Sequence, residues 1–566
     1  MNNQKVTYIN YNMNQLCLPS DITNWVDENH ISRIVNEVVE NIDDKFLEKF
    51  YEGGGRSSYH PKMMLKIVIY AYTQGVTSGR KMAKMCKEHI PMIWLTGRTT
   101  PDFRTINRFR SERLKYAIED IFETLVIYLI ENGYANTDIY YLDGTKIEAN
   151  ANKFSFVWTK STLNYQDKLT DKLKVFLKEA VNIAEEENKE YDLLDGMKDL
   201  SELSYGILKS LEEKDSKYKK AIIHSHEIDH ISNKLTKIEE ELELIGAENI
   251  RKRPIKKLKK KFDEDFSPRM KKYEINNTIA NGRNSFSKTD HGATFMRMKD
   301  DYMKNGQLKP GYNVQIGTNN QFVLNYSIHS NPTDVRTFIP HIKEMIRRGI
   351  ILPETIVADG GYGSEENYMY CKDNEYNALI PYNTMRLEEK RSYSKNIKHW
   401  KNWFYDEECD RFICPNDKNL EFKHYSRKTD KYGYTRDFKI YECENCSDCP
   451  YKKECTKSKG NRQIHYNPVY EELKADVRDK LLHDENSMKI YAKRKIEPET
   501  VFGNMKANLS FKKFRLRGND KVKIEFGLMA MAHNIIKMAL VIAKNMADDT
   551  KGSTQKIGFT HSFSCA

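Results

Sequence analysis

Three acids in this sequence stand where metal and phosphate chemistry could be done. Asp143-Gly144 follows the strand-like run Asp138-Ile139-Tyr140-Tyr141-Leu142, and Asp359-Gly360-Gly361-Tyr362 follows the short apolar run Thr355 to Ala358. An Asp at a strand's end points from a rigid base, and a Gly after it lets the backbone turn away from the carboxylate. One Asp-Gly is ordinary turn chemistry; two in one mixed sheet mean more. Carboxylates brought close repel, so a cation is needed to keep both ionised. Mg²⁺ takes few carboxylates and leaves room for phosphate oxygens. A third acid would complete a two-metal site. Glu499 supplies it, seven residues before Lys506, so two helical turns put Lys506 on the same side, where it could hold a phosphate. Glu497 competes, and the Lys506 spacing favours Glu499.

Two further patterns suggest metal. Cys443, Cys446, Cys449 and Cys455 are closely spaced, with Cys414 upstream. In a chain of ten Cys without an export signal, such spacing points to reduced thiols and a metal. Five thiols exceed one tetrahedral site, so Cys414 competes with a neighbour. Zn²⁺ is the first choice and an iron–sulfur cluster the second, because the triple resembles ferredoxin spacing with Pro450 misplaced. His226-Glu227-Ile228-Asp229-His230 matches the zinc-peptidase pattern His-Glu-x-x-His, but it sits at the start of a helical seam with no third ligand.

The elements that must position these residues can be read along the 566-residue chain. Hydrophobic residues make up 39% and charged residues 31%, with a net charge of +11, which fits a polyanion partner and large cores. The N-terminus has no apolar leader, and His533, Asn534 and Lys537 break the longest apolar stretch, so no membrane span is expected. Residues 1–135 read as helical, with one helix from Phe103 to Ile130. Arg80, Lys81, Arg104, Arg108 and Arg110 give the region the look of a helix-turn-helix DNA reader or of a bundle with a basic face. Residues 136–159 and 286–394 read as strand, hairpin, helix, strand, helix, strand, a mixed α/β domain. Residues 160–285 suggest an antiparallel coiled-coil hairpin, with Gly196 and Gly206 between its arms. Its seam runs Ile228, Ile231, Leu235, Ile238, Leu242 and Ile245. The basic run Arg251 to Lys261 follows, either a solvated segment or a phosphate contact. Residues 395–465 form the Cys-rich insertion, and 466–548 return to the core with the helix bearing Glu499. Residues 549–566 read as a disordered tail. His533 and Asn534 suit hydrogen bonds at a packing face, and Asp334 and Asp290 suit caps or turns.

Taken in order, these segments resemble the DDE transposases of bacterial insertion sequences, in the branch with a Cys-rich insertion. The resemblance rests on Tyr59-His60-Pro61-Lys62-Met63-Met64-Leu65-Lys66, Ser78-Gly79-Arg80-Lys81 and Pro101 to Arg110. It continues through Leu142 to Lys153, Gly311-Tyr312-Asn313-Val314-Gln315, Asp359-Gly360-Gly361-Tyr362, Val501 to Lys506, Phe511 to Phe514 and Arg517-Gly518. It implies a ribonuclease H-like mixed-sheet core with Asp143, Asp359 and Glu499 as catalytic acids holding Mg²⁺ or Mn²⁺, two ions in all. It also implies Tyr491, Arg494 and Lys506 at phosphate, although Tyr491 and Arg494 each fall one residue early, about 100° on a helix. The implied activity is metal-dependent cleavage at the element's ends followed by strand transfer to target DNA. The implied partners are double-stranded DNA and a second copy of the chain, and the implied place is the bacterial cytoplasm, at the nucleoid. The alternatives are an inactive DNA-binding regulator descended from such an enzyme and, remotely, a zinc peptidase.

Overall fold

The computed structural model describes residues 8–9, 22–49, 51, 57–190, 195–215, 222–298, 306–350 and 353–549. The glycine run at 53–55 and the expected tail beyond residue 549 lie outside them. The chain divides into two compact units, Met1–Asn150 with Tyr312–Ala566, and Ala151–Gly311.

The first unit opens with helices α1 (Ile31–Glu40), α2 (Pro61–Thr73), α3 (Gly79–Glu88), α4 (Phe103–Arg108) and α5 (Ile118–Glu131). Pro61 fits the first turn of α2, where its missing N–H costs nothing, and His60 accepts from the Lys62 N–H. α2 is apolar on nearly every side and is buried along its whole length. Its two lysines, Lys62 and Lys66, are buried as well and pair with Glu40. The long helix expected from Phe103 to Ile130 is broken instead. A π-helical turn at Phe109–Arg113 and a 3₁₀ turn at Leu114–Tyr116 separate α4 from α5. The wider turn carries Arg110 inward.

A mixed sheet follows, built on β1 (Ile139–Glu148), β2 (Leu308–Asn319), β3 (Phe322–His329), α11 (Phe338–Arg347), β4 (Thr355–Val357), α12 (Glu365–Asp373) and β5 (Asn377–Leu379). The order in space is β5, β4, β1, β2, β3, with β5, β4 and β1 parallel and β2–β3 antiparallel. The β2–β3 turn has positive φ at Asn320 and Gln321, the twist a two-residue hairpin needs.

The strand expected to stop at Asp143-Gly144 runs on to Glu148, so Gly144 is not a turn. A Cβ there would stand 2.4 Å from Gln315 Nε2 and 3.0 Å from Asp334 Oδ1, so the glycine makes room for neighbouring side chains.

The last helix, α16 (Asn519–Asp549), covers this sheet. Over Asn519–Met546 it is long and apolar enough to cross a membrane by length and composition, yet 61% of its most apolar stretch is buried in the fold. Its polar residues have partners, as the sequence suggested. Asn534 accepts from the Val323 N–H and donates to the Val323 carbonyl, both at 2.8 Å. Buried Glu525 accepts from the Arg515 and Leu516 N–H groups and so fixes the loop before α16. His533 donates Nε2–H to the Gln321 carbonyl and accepts from Asn504 at Nδ1.

Burial pushes His533 down to about 4 and holds His341 well below its usual 6.5. Both are neutral when folded and bind protons more readily when unfolded, so stability is lost as pH falls from 6.5 towards 4. His533 alone is worth about 3 kcal/mol across that window. The melting temperature is therefore expected to fall steeply below pH 6.5. A His533→Gln variant, though less stable at pH 7, should show a shallower slope; equal slopes would rule this account out.

The second unit is a helical bundle and not the two-armed coiled coil expected. It comprises α6 (Thr159–Glu190), α7 (Asp195–Asp215), α8 (Ser225–Leu244), α9 (Asn249–Lys261) and α10 (Ser267–Ala280). Ile228, Ile231, Leu235, Ile238 and Leu242 are all buried in its core, while Ile245 lies outside, half exposed. Gly196 and Gly206 lie within α7, and Gly196 lets it approach Ile238 and Glu241 of α8. The basic run is α9 itself. Ile255 and Leu258 are its buried side, and Arg251, Lys256, Lys257 and Lys259 pair with Glu187, Glu239 and Glu179. Glu227 closes a capping box on the His224 N–H at 2.7 Å, and His226 and His230 are exposed. The peptidase pattern is thus a helix start.

Residues 404–466 form a five-stranded antiparallel sheet: β6 (Phe404–Asp406), β7 (Arg411–Ile413), β8 (Asn419–Thr429), β9 (Thr435–Cys443) and β10 (Gln463–Tyr466). Helices α13 (Pro468–Leu482), α14 (Glu485–Ala492) and α15 (Glu497–Gly503) lead back to the mixed sheet.

Candidate active site

The parallel register of β1 and β4 sets the first two acids side by side. Tyr141 pairs with Val357, so Asp143 and Asp359 each lie two residues further along neighbouring chains. Asp143 is 6% exposed and accepts from the Gly144 N–H at 2.8 Å. Asp359 is half-buried and accepts from the Gly361 N–H at 2.8 Å. Tyr362 is buried beside them, and its hydroxyl is held well above the usual phenol range by burial first and then by the charges of Asp334, Asp143 and Asp359.

Asp334 is thus a further acid at this place. Its Oδ1 stands 3.0 Å from where a Gly144 Cβ would be, and its Oδ2 stands 3.7 Å from where a Gly361 Cβ would be. Buried Asn313 and Gln315 hold Oδ1, at 2.8 and 3.3 Å, and Gln315 accepts from the Tyr362 hydroxyl. The cap reading of Asp334 misses its closeness to Gly144 and Gly361. The signal was present in Asn313-x-Gln315, two amides two apart on one strand and therefore on one face.

Alternation along β1 puts Tyr141, Asp143 and Thr145 on one face. The helices after the Cys-rich sheet reach that face. The Tyr141 hydroxyl donates to the Ile490 carbonyl at 3.3 Å, and Lys506 Nζ donates to Thr145 Oγ1 at 2.6 Å. Glu499 sits in the first turn of α15, half-exposed, with Arg494 Nη1 at 3.8 Å. Arg494 falls one residue early for an unbroken helix, but a 3₁₀ turn at Lys493–Lys495 separates α14 from α15. The tighter turn resets the phase and carries Arg494 to Glu499. The Arg494 guanidinium also stands 5.8 Å from the Tyr491 ring centre.

Glu497 points elsewhere. It is 8% exposed, accepts from the Gln321 N–H at 2.7 Å, and is pushed upward by burial. It fastens the β2–β3 turn to α15. Glu497→Gln is expected to cost about 1–2 kcal/mol of stability and to leave the chemistry within roughly threefold, a rate change of about 0.6 kcal/mol. Glu499→Gln should do the reverse, and paired melting and cleavage assays would show a reversed order if Glu497 were the acid.

Among the described residues, no group of three or more His, Cys, Asp or Glu stands at the geometry of a formed metal site. The donors beside Asp143 and Asp359 are nevertheless hard oxygens that repel one another, and this set suits a hard divalent cation.

The basic residues of the N-terminal helices divide. Arg80, Lys81, Arg104 and Arg108 are exposed on α3 and α4. Arg80 lies over the Phe103 ring at 5.0 Å, and Arg108 pairs with Glu112 at 3.1 Å. Arg110 is 3% exposed and donates to the Thr77 carbonyl, the Tyr72 hydroxyl and Asn107. It braces the helices from inside and does not face a DNA partner.

Cys414, Cys443, Cys446, Cys449 and Cys455 line one small cavity beside the five-stranded sheet.

Two family models match the chain. A transposase domain model (DUF772) matches residues 20–112, the N-terminal helices, and a transposase DDE domain model matches residues 413–539, from the Cys-rich sheet through Glu499 and Lys506 into α16. No curated protein and no solved structure matches. Transposase sequence thus lies on both sides of the strands bearing Asp143 and Asp359, which supports the resemblance to the DDE transposases of insertion sequences.

Proposed function

We propose that the protein binds the ends of its insertion sequence, cuts the DNA there with a divalent metal, and joins the freed end to target DNA. The observation that carries this is the β1–β4 register, which sets Asp143 beside Asp359 while Lys506, seven residues after Glu499, bonds Thr145 on the same strand. The order of the five core strands supports a ribonuclease H-like core.

Asp143, Asp359 and Glu499 would hold Mg²⁺ or Mn²⁺, two ions in all. When bound, such metal activates a water or 3′-hydroxyl nucleophile and stabilises the leaving 3′ oxygen. The chain's own groups do the rest. The amides of Asn313 and Gln315 fix Asp334, and through the Tyr362 hydroxyl they tie it to the Asp359 turn. Arg494 holds Glu499 and, with Tyr491 and Lys506, presents donors to DNA phosphate. Arg80, Lys81, Arg104 and Arg108 contact the backbone of double-stranded DNA and give affinity without base readout. A second copy of the chain joins the two element ends, and the work is done in the cytoplasm at the nucleoid.

The test is nicking of supercoiled DNA carrying the element's ends. The expected result is Mg²⁺-dependent cleavage that EDTA abolishes. Binding to the ends without cleavage under Mg²⁺ or Mn²⁺ would overturn the catalytic assignment and leave a DNA-binding regulator.

A further inference from the structure

The Cys-rich sheet poses a separate problem. Its buried core is small: Trp403, Phe412, Leu420, Tyr441, Cys443, Cys446 and Ile464, with Trp400, Tyr405 and Tyr466 packed against it. So few apolar residues rarely hold a sheet this size without a staple, and natural small modules use disulfides or a metal. None of its cysteines is in a disulfide.

The backbone brings five thiols round one cavity from two directions. Cys414 sits in the turn between β7 and β8, closed by the Cys414 N–H to the Lys418 carbonyl and the Asp417 N–H to the Cys414 carbonyl, both at 2.9 Å. Cys443 ends β9, and Cys446, Cys449 and Cys455 follow in the segment before β10. There Cys446 Sγ already accepts from the Arg462 N–H at 3.4 Å, the bond that supports a thiolate ligand. Among the described residues no three of these sulfurs stand close enough together to hold an ion, so the thiols would have to draw in around it. The cavity they surround is about 20 Å³, the space of a single water-sized body. That is room for one ion.

Five thiols are one too many, and the arrangement separates them. Cys443 ends β9 in the apolar core, is 3% exposed, and donates its S–H to the Asn445 carbonyl at 3.9 Å. We infer that Cys414, Cys446, Cys449 and Cys455 bind one Zn²⁺ as a closed tetrathiolate site, with Cys443 as a packing residue beside it. Soft thiolates select zinc over the hard cation expected at the carboxylates, and a four-ligand site with no open position is structural.

The test uses the full-length protein, purified reduced from cells grown with both zinc and iron. Elemental analysis is expected to find about one zinc and no iron per chain. Replacement by Co²⁺ should give the intense visible bands of tetrahedral cobalt–thiolate ligation, which report the ligands on an intact fold. Cys443→Ser should keep the ion and the cobalt spectrum. Cys449→Ser should lose the ion, or lose the four-sulfur spectrum if the serine oxygen replaces the thiolate. Wild-type protein with free thiols and no zinc would overturn the site, as would iron with sulfide or a disulfide among the five. Loss of zinc in Cys443→Ser with retention in Cys449→Ser would overturn the ligand assignment. None of these readouts depends on DNA cleavage, so failure here and failure of the catalytic proposal are distinguishable.

Discussion

Asp143→Asn is expected to lower Mg²⁺-dependent strand cleavage by roughly 10³-fold or more, with binding to the element's ends within about twofold. Losing a carboxylate that holds catalytic metal costs several kcal/mol of transition-state stabilisation, and each ~1.4 kcal/mol is a factor of ten. Asn keeps the shape of Asp and can still accept from the Gly144 N–H, so the fold should survive the change. Melting should confirm this, which separates lost chemistry from lost structure. Asp359→Asn and Glu499→Gln belong in the same class. Asp334→Asn belongs between them and wild type, because Asp334 Oδ1 is already committed to two amides and its role is to hold the acids' surroundings in place. Cleavage at the wild-type rate by folded Asp143→Asn would remove the metal site from this protein, whatever the family of its ends. Reduced cleavage that recovers in Mn²⁺ would instead support it, since Mg²⁺ demands a near-ideal octahedral oxygen set and Mn²⁺ is less exacting of a weakened one.

The two aspartates of the candidate site carry a local signal in the sequence. An apolar run followed by Asp-Gly marks Asp143 and Asp359 without knowledge of the rest of the fold, and the hairpin at Asn319-Asn320 is likewise a short-range signal. What was misread depended on distant partners. Gly144 looks like a turn until the neighbouring strand supplies Gln315, and then it is a gap left for that side chain. Arg110 looks like one more cation on a basic helix until a π turn carries it inward to the Thr77 carbonyl. Arg494 appeared out of phase with Glu499 because a uniform 100° per residue was assumed across Lys493–Lys495, where the helix is 3₁₀. The second unit's seam was visible from Ile228 to Leu242, but periodicity gives a buried stripe and not the number of helices that cover it.

Gly317→Ala carries the largest expected loss of stability. A Cβ at Gly317 would fall 1.6 Å from Tyr140 Cζ and 1.8 Å from its hydroxyl, distances no pair of atoms can share. Tyr140 cannot simply step aside. It is 1% exposed, and its hydroxyl bonds His341 Nε2 at 2.7 Å, while Ser327 bonds the other ring nitrogen at 2.7 Å. Moving the ring therefore adds overpacking, roughly 1–3 kcal/mol, to a broken buried hydrogen bond, another ~1–3 kcal/mol. A total near 4 kcal/mol is expected in urea unfolding. The β2–β3 register shifts between Gly317 and Thr318, so the strand is already bent here and the glycine is part of that bend. The cause can be isolated with Tyr140→Ala, which is itself destabilising. If the clash is with this ring, Gly317→Ala added to Tyr140→Ala should cost under about 1 kcal/mol more, a coupling of about 3 kcal/mol between the two positions. Additive costs would place the effect in the backbone of β2 instead. Tyr140 is three residues before Asp143 on β1, so a ring forced out of place also disturbs the strand that presents the first acid. Cleavage by Gly317→Ala should accordingly fall even under conditions where most of the protein is folded.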